Sequence, residues 1–112
     1  MDKLIDVSYN EIMNRRQFYI IYENGNGESI SVPLPLGKLD RSTIINALIR
    51  SKYSQDMVEA IVNNHFLNIA EWLDAKFTGS TDSFVDEDYD KMQDWRKTCK
   101  RLADEALQMY TE

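Results

Sequence analysis

The spacing of apolar residues changes along the chain, from two-residue alternation in the first third to helical spacing after residue 38. Within QFYIIYENGNGESISVPLPLG, residues 17–37, two runs of β-branched and aromatic residues flank Asn24-Gly25-Asn26-Gly27. Glycine reaches positive φ at little cost, so these four residues predict the turn of a β-hairpin. Farther along, apolar residues recur three and four positions apart, which is typical of amphipathic helices. The pattern predicts an α+β fold in which a short N-terminal helix and a β-hairpin precede a helical region that ends in a long C-terminal helix.

The register of the hairpin depends on the length of its loop. A loop with an odd number of residues gathers six apolar residues on one face: Phe18, Ile20, Tyr22, Ile30, Val32 and Leu34. An even number places serines opposite the apolar residues of the first strand, so burial favours the odd loop. Tyr19 and Ile21 then occupy the other face, opposite Ser31 and Ser29. Two prolines near the end of the second strand cannot donate to a ladder, which predicts that this strand lies at a sheet edge.

The N-terminal helix is predicted from a capping box. In Ser8-Tyr9-Asn10-Glu11, Ser8 can accept from the backbone N–H of Glu11 while the Glu11 side chain reaches back. Val7 and Ile12 stand at the positions of a hydrophobic staple around that cap. We therefore expect a helix over residues 9–15.

Polar caps divide the following segment into helices. Asp40 is expected to cap a helix over residues 41–52. The buried stripe of that helix is Ile44, Ile45, Leu48 and Ile49. Ser54 is expected to start a second helix, and Asn68, with Glu71 three residues later, to cap a third that ends by residue 77.

A loop is predicted over residues 78–85, which include TGSTDS, and a long helix over residues 86–110. Apolar residues of this helix form a heptad-like stripe of Met92, Trp95, Cys99, Leu102, Ala106 and Met109. Ala103, Leu107 and Tyr110 widen it. One side is expected to pack on Ile44, Leu48, Val58 and Ile61. The other side either stays within the chain or meets a second chain, and we predict a homo-oligomer or an obligate complex with another protein. The candidate interface residues are Tyr19, Ile21, Trp95, Leu107 and Tyr110.

Composition narrows the class of protein. Thirteen basic and nineteen acidic residues give a net charge of −6, which disfavours binding to nucleic acid. No apolar run is long enough to cross a bilayer, and no signal-peptide core follows Met1. A single cysteine excludes an internal disulfide and a multi-cysteine zinc site. At 112 residues we expect one acidic cytoplasmic domain, residues 1–112, that binds other proteins but no nucleic acid, membrane or cofactor.

The sequence offers little for catalysis. An imidazole can serve as a catalytic base, which makes His65 a candidate. No serine or cysteine stands in a nucleophile motif, however, and one histidine on an apolar helix face is usually structural. Asp86, Asp88 and Asp90 imitate the start of a calcium loop, yet lysines stand where that loop needs its glycine and its bidentate glutamate. Cys99 lies on the apolar stripe, a position that is typical of a small buried thiol. We predict no catalytic, cofactor-binding or metal-ligating residue and no enzyme.

The central stretch IRSKYSQDMVEAIVNNH, residues 49–65, contains the only histidine. In its first part a helix is expected to end at Arg50, the Tyr53 side chain to fill the space between helices, and a new helix to be capped by Ser54. We therefore interpret this part as a joint between two packed helices. This interpretation requires Tyr53 to be buried between helices and His65 to have neither a carboxylate nor a metal partner.

Two segments carry a family resemblance. ALIRSKYSQDMVEAIVNN and, after an acidic spacer, YDKMQDWRKTCKRLA resemble small proteins of tailed bacteriophages and prophages, over residues 47–103. The shared positions are Arg50, Tyr53-Ser54, Ala60-Ile61, Asn63-Asn64 and Trp95-Arg96. Such proteins are often encoded near tail or other virion genes, and the resemblance brings no catalytic residue with it. It implies a location in the host cytoplasm during assembly, or in the virion itself.

Three functions follow as hypotheses. The first is a non-enzymatic virion or tail-associated structural or assembly protein that acts through protein–protein contacts. The second is an acidic phage or mobile-element protein that inhibits a host nuclease or defence system by nucleic-acid mimicry. Its carboxylates would be Asp82, Asp86, Glu87, Asp88, Asp90 and Asp94. The third, a small enzyme that uses His65, requires a nucleophile or an oriented carboxylate beside that residue.

Overall fold

An antiparallel sheet is followed by helices in the computed structural model, which describes residues 2–79 and 83–111. Within those residues the elements are β1 (Lys3–Ile12), β2 (Arg15–Glu23), β3 (Ser29–Pro33), α1 (Arg41–Lys52), α2 (Gln55–Phe77) and α3 (Glu87–Thr111). The strand order is β1-β2-β3, so β3 is an edge strand that ends at Pro33, as predicted. The α+β prediction, with its hairpin and long C-terminal helix, is confirmed.

The predicted N-terminal helix is wrong, because residues 3–12 form β1. Leu4 pairs with Tyr22 and Asp6 pairs with Ile21, so Ile5 is the extra residue of a β-bulge. The bulge leaves Leu4 and Val7 three positions apart although both pack on the core, a spacing that imitates a helix. Pairing along the whole length of β2 outweighs the local capping box.

A two-residue turn joins β1 to β2. Ile12 pairs with Arg15, and the residues between them, Met13 and Asn14, have φ of 53° and 64°. Positive φ at both central positions is the requirement of a type I′ hairpin turn, which asparagine tolerates well. Met13 is disfavoured at positive φ by the contact of its own Cβ with the backbone, and its side chain is 88% exposed.

The second hairpin confirms the predicted apolar face and corrects the predicted pairing. Ile20 pairs with Val32 across an odd, five-residue loop, and the apolar residues of β2 and β3 face the core. Tyr19, however, lies opposite Pro33, and Ile21 lies opposite Ser31, which is two residues from the predicted pairing. The reason is local: the Asn24 side chain accepts from the backbone N–H groups of residues 26 and 28, at 2.9 and 3.0 Å, and so organises the longer loop.

Two of the three predicted caps of the helical region are confirmed, and the third, at Asn68, is wrong. Asp40 accepts from the Thr43 N–H at 2.9 Å at the start of α1, and Ser54 caps α2 through Met57. Asn68 does not start a third helix, because α2 continues unbroken to Phe77. Its side-chain amide donates to Asp86 at 3.2 Å instead of capping the backbone.

The core lies between one face of the sheet and two helices, α1 and α3. Its buried residues are Leu4, Phe18, Ile20, Tyr22, Val32, Leu34, Ile44, Leu48, Trp95, Cys99, Leu102, Ala103 and Ala106. Five of the six residues of the predicted α3 stripe are buried, but Met109 is 42% exposed. Ala103 and Leu107, which flank the predicted stripe, pack on this chain's own core, so for these two residues the alternative of burial within the chain holds. Val58 and Ile61 are only half-buried.

The molecule is elongated. Its principal extents are 63 × 27 × 22 Å, and its radius of gyration is 18.2 Å, against about 13 Å for a compact domain of similar length. The cause is α2, which has no buried residue along its length and packs mainly on the first part of α3. A helix therefore projects from the core formed by the other elements.

Candidate protein-interaction site

Two apolar faces run along α2, and only one is packed. Residues of the packed face are half-buried toward α3: Val58, Ile61, Val62, His65, Ile69 and Trp72. On another side of the helix, Phe66 is 65% exposed and Phe77 is 90% exposed. Leu67 and Leu73 are also exposed. A helix of a soluble protein usually turns one apolar face to the core and polar residues to solvent, so the second face is unusual.

The exposed apolar residues form a regular line. Phe66, Ala70, Leu73 and Phe77 follow one another at spacings of four, three and four residues, which places them on one side of an α-helix. We call these four residues the α2 stripe. Leu67 lies beside it. Since the rise is 1.5 Å per residue, the α2 stripe extends for about 16 Å.

The charges on α2 are almost all negative. The helix contains one lysine, Lys76, and four carboxylates: Asp56, Glu59, Glu71 and Asp74. The Lys76 ammonium lies 5.3 Å from the centre of the Trp72 ring, on the packed side of the helix. Two of these carboxylates border the α2 stripe, since Glu59 lies in line with it and Asp74 lies beside it.

The middle of the projecting helix is fixed to the start of α3 by the histidine. His65 Nδ1 donates to Asp86 Oδ2 at 2.9 Å, across 21 residues of sequence. The imidazole stacks on Tyr89, with ring centroids 3.5 Å apart and planes 7° from parallel, and it meets the edge of Phe84 at 5.6 Å. Phe84 in turn contacts Trp72 at 5.8 Å. These contacts join α2 to the start of α3.

Asp86 serves two elements at once. One of its oxygens accepts from the backbone N–H of Tyr89 at 3.3 Å, as an N-cap of α3 does, while the other accepts from His65 and Asn68. The hydrogen bond from His65 is the largest cause that lowers the pKa of Asp86 below its ordinary 3.8, with smaller contributions from Asn68 and the Tyr89 N–H. The carboxylate side chain is only 9% exposed.

The carboxylate partner of His65 corrects the sequence interpretation. The predicted helix end and the cap at Ser54 are present, but Tyr53 is only half-buried, and the requirement that His65 have no carboxylate partner fails. Sequence reasoning missed Asp86 as that partner because nothing in the spacing of the two residues indicates a contact. The pair orients an imidazole, and its neighbours, Tyr89 and Phe84, are aromatic rings. This arrangement suits a clamp between two helices.

Replacing the carboxylate should change how stability depends on pH. A depressed pKa means that the charged Asp86 stabilises the folded state fully above about pH 3.9, and that this contribution is lost as the pH falls through the lower folded pKa. We expect Asp86→Asn to lower Tm at pH 7 and to lose less stability than the wild type between pH 4 and pH 2. Thermal melts across that range measure both effects. Glu87→Gln, a neighbouring exposed acid, is the control, and an acid profile of Asp86→Asn that matches the wild type would contradict the prediction.

The interface candidates from the sequence occupy different environments. Tyr19 and Ile21 are half-buried on the strand face opposite the core, and for them the prediction stands untested. Trp95 is 4% exposed and donates from Nε1 to the Leu48 carbonyl at 3.1 Å, so its side chain belongs to the core. Leu107 packs on that core. Tyr110 is 36% exposed and accepts from Arg16 at 2.8 Å.

The acidic residues at the start of α3 differ in what surrounds them. Glu87, Asp88 and Asp90 lie in the first turn, whereas Asp86 is held by His65. Asp82 lies outside the described residues. Across residues 2–79 and 83–111, no group of three or more histidine, cysteine or acidic side chains is placed to hold a metal ion.

Two further findings concern the chain as a whole. In the part of the chain that the structure describes, no helix combines the length and hydropathy needed to cross a membrane. Comparison of the chain with protein-family models, with curated proteins and with solved structures finds no match.

Proposed function

We propose that this chain is a non-enzymatic structural or assembly protein that binds other protein chains through the exposed face of α2. The observation that carries the proposal is the α2 stripe on a helix that projects from the core. The setting that we propose, the particle or the assembly pathway of a tailed bacteriophage, rests on the sequence resemblance over residues 47–103.

The energetics of α2 support a binding role. Large contiguous apolar patches on a soluble protein mark interaction surfaces more often than not. Most helical stability in proteins comes from packing of an apolar face, yet α2 has no buried residue. A partner that covered Phe66, Leu73 and Phe77 would gain binding free energy from their burial, about 25 cal/mol for each Å² of apolar surface removed from water.

The clamp at His65 and Asp86 supports the same role. A projecting helix presents its surface in a defined direction only if the rest of the chain holds it rigidly. The hydrogen bond to Asp86 and the stacking on Tyr89 provide that hold at the middle of α2, next to the start of the α2 stripe.

Mass spectrometry of purified particles tests the proposal in a phage that encodes this chain. We expect the chain in intact virions or in sedimenting assembly intermediates. The double variant Phe66→Ser, Phe77→Ser should reduce that association by tenfold or more, whereas Met13→Ser, at an exposed position in the turn between β1 and β2, should not. Absence of the wild-type chain from both virions and intermediates would contradict the proposed function.

A further inference from the structure

We infer that the segment covering the α2 stripe is an amphipathic helix of another protein, with lysine or arginine beside its apolar face. The inference rests on the proposed function and adds the chemistry of the partner to it. Its basis is the combination of an apolar line at heptad-like spacing with carboxylates along its border.

The shape of the surface favours a helix as the occupant. Phe66, Ala70, Leu73 and Phe77 lie on one side of α2 at the alternating spacing that receives the knobs of a facing helix. The small Ala70 between larger neighbours leaves room for a side chain of the partner. A strand would gain nothing here from its backbone, because the N–H and C=O groups of a helix interior already bond to one another.

The charges define the chemistry of the partner's flanks. Glu59 lies seven residues, or two turns, before Phe66 and so continues the line of the α2 stripe. Asp74 lies beside it, one residue after Leu73 and four after Ala70. The only basic residue of α2, Lys76, is occupied over the Trp72 ring. Lysine or arginine on the partner would meet these carboxylates at the rim, where opposite charges favour encounter and fix orientation.

The same charges argue against two other occupants. A second copy of this chain would bring its own Glu59 and Asp74, and a net charge of −6, to the contact. An anionic lipid surface would be repelled in the same way. The exposed parts of Phe66, Leu67, Leu73 and Phe77 amount to an area on the order of 500 Å², below the roughly 800 Å² that each partner of a stable complex usually contributes. Charged rim contacts therefore have to supply part of the interface.

Fluorescence anisotropy with three labelled peptides tests the inference on the full chain. The first has leucines at heptad a and d positions with lysines elsewhere, the second has glutamates in place of the lysines, and the third is a scrambled form of the first. We expect the leucine–lysine helix to bind at least about tenfold more tightly than either of the others, which corresponds to about 1.4 kcal/mol.

Matched variants separate the apolar and the charged contributions. Phe66→Ser with Phe77→Ser should abolish binding of the leucine–lysine peptide, and Met13→Ser should leave it unchanged. Glu59→Gln with Asp74→Asn should remove most of the preference for lysine over glutamate, while Glu11→Gln with Glu28→Gln, two exposed acids of the sheet region, should keep it. All substituted side chains are exposed, and the hydrogen bond that Glu59 accepts from Gln55 at 3.1 Å lies on the helix surface. Unchanged thermal melts verify folding of every variant.

Several results would overturn the inference. Equal binding of the lysine and glutamate peptides, or binding that survives Phe66→Ser with Phe77→Ser, would do so. So would a dimer in sedimentation velocity that this double variant dissociates, because a second copy would then cover the α2 stripe, or adsorption of the chain to phosphatidylglycerol vesicles. If the peptides fail but the double variant still leaves the particle, the proposed function stands and only this partner chemistry falls.

Discussion

Ile20→Ala is expected to destabilise the protein by about 2–5 kcal/mol, because it opens a cavity in a closely packed core. Ile20 is fully buried, in the central strand, opposite Val7 on one side and Val32 on the other. Loss of the side chain removes contacts to both neighbouring strands and to the helices that cover the sheet. Urea unfolding followed by circular dichroism gives the free energy of unfolding for comparison with the wild type.

Ile21→Ala is the matched control for that prediction. Ile21 is the next residue of the same strand, so the change in β-propensity is the same, but its side chain is half-buried on the opposite face beside Ser31. We expect it to cost less than about 1 kcal/mol. A larger effect at Ile21 would mean that the strand has the opposite face toward the core, and equal effects would mean that both faces are covered to the same extent; either result contradicts the prediction.

Cys99 is expected to react with a thiol reagent such as DTNB about a thousandfold more slowly in the folded protein than in urea. Its side chain is fully buried in the core, and this burial raises the pKa of the thiol from 9.0 to about 12. A pKa three units higher leaves about a thousandth of the thiolate near pH 8, and the thiolate is the reactive species. Release of the chromophore at pH 8, with and without urea, measures the ratio, and Cys99→Ser provides the blank.

The same group gives stability a dependence on alkaline pH. A raised folded pKa means that the neutral thiol contributes stability below pH 9, and that this contribution is lost as the pH rises from 9 toward 12. Cys99→Ala should flatten that part of the profile.

The labelling rate also tests the packing of α3. Fast labelling of Cys99 in the folded protein at pH 8 would show that α3 separates readily from the sheet, contrary to the packing described above.

Local signals in the sequence were sufficient for three parts of the fold. Asp40 and Ser54 mark helix starts because capping depends on residues three positions away and on nothing farther. The hairpin turn near Gly27, which has φ of 81°, was equally local. The buried stripe of α3 follows from spacing alone, apart from Met109.

Other features depended on pairing between distant residues. The residues of β1 carry a good capping box, but they form a strand because β2 offers a partner along its whole length and a bulge at Ile5 corrects the facing of Leu4. Asn68 has the residue type and spacing of a helix cap, but in the structure it lies in the interior of α2. Its side-chain amide donates a hydrogen bond to Asp86 and does not cap the backbone. A one-dimensional pattern contains neither partner.

The candidate site shows the same division. The sequence by itself determined that residues 55–77 are mostly helical and rich in apolar residues, although it predicted a break at Asn68 within what is one helix, α2. Which face is covered was decided only by tertiary contacts: His65 contacts Asp86 and Tyr89, and Val62, Ile69 and Trp72 are half-buried on that same side of α2. Phe66, Leu73 and Phe77 remain exposed because a helix attached along one side has no second layer of this chain to bury its other side.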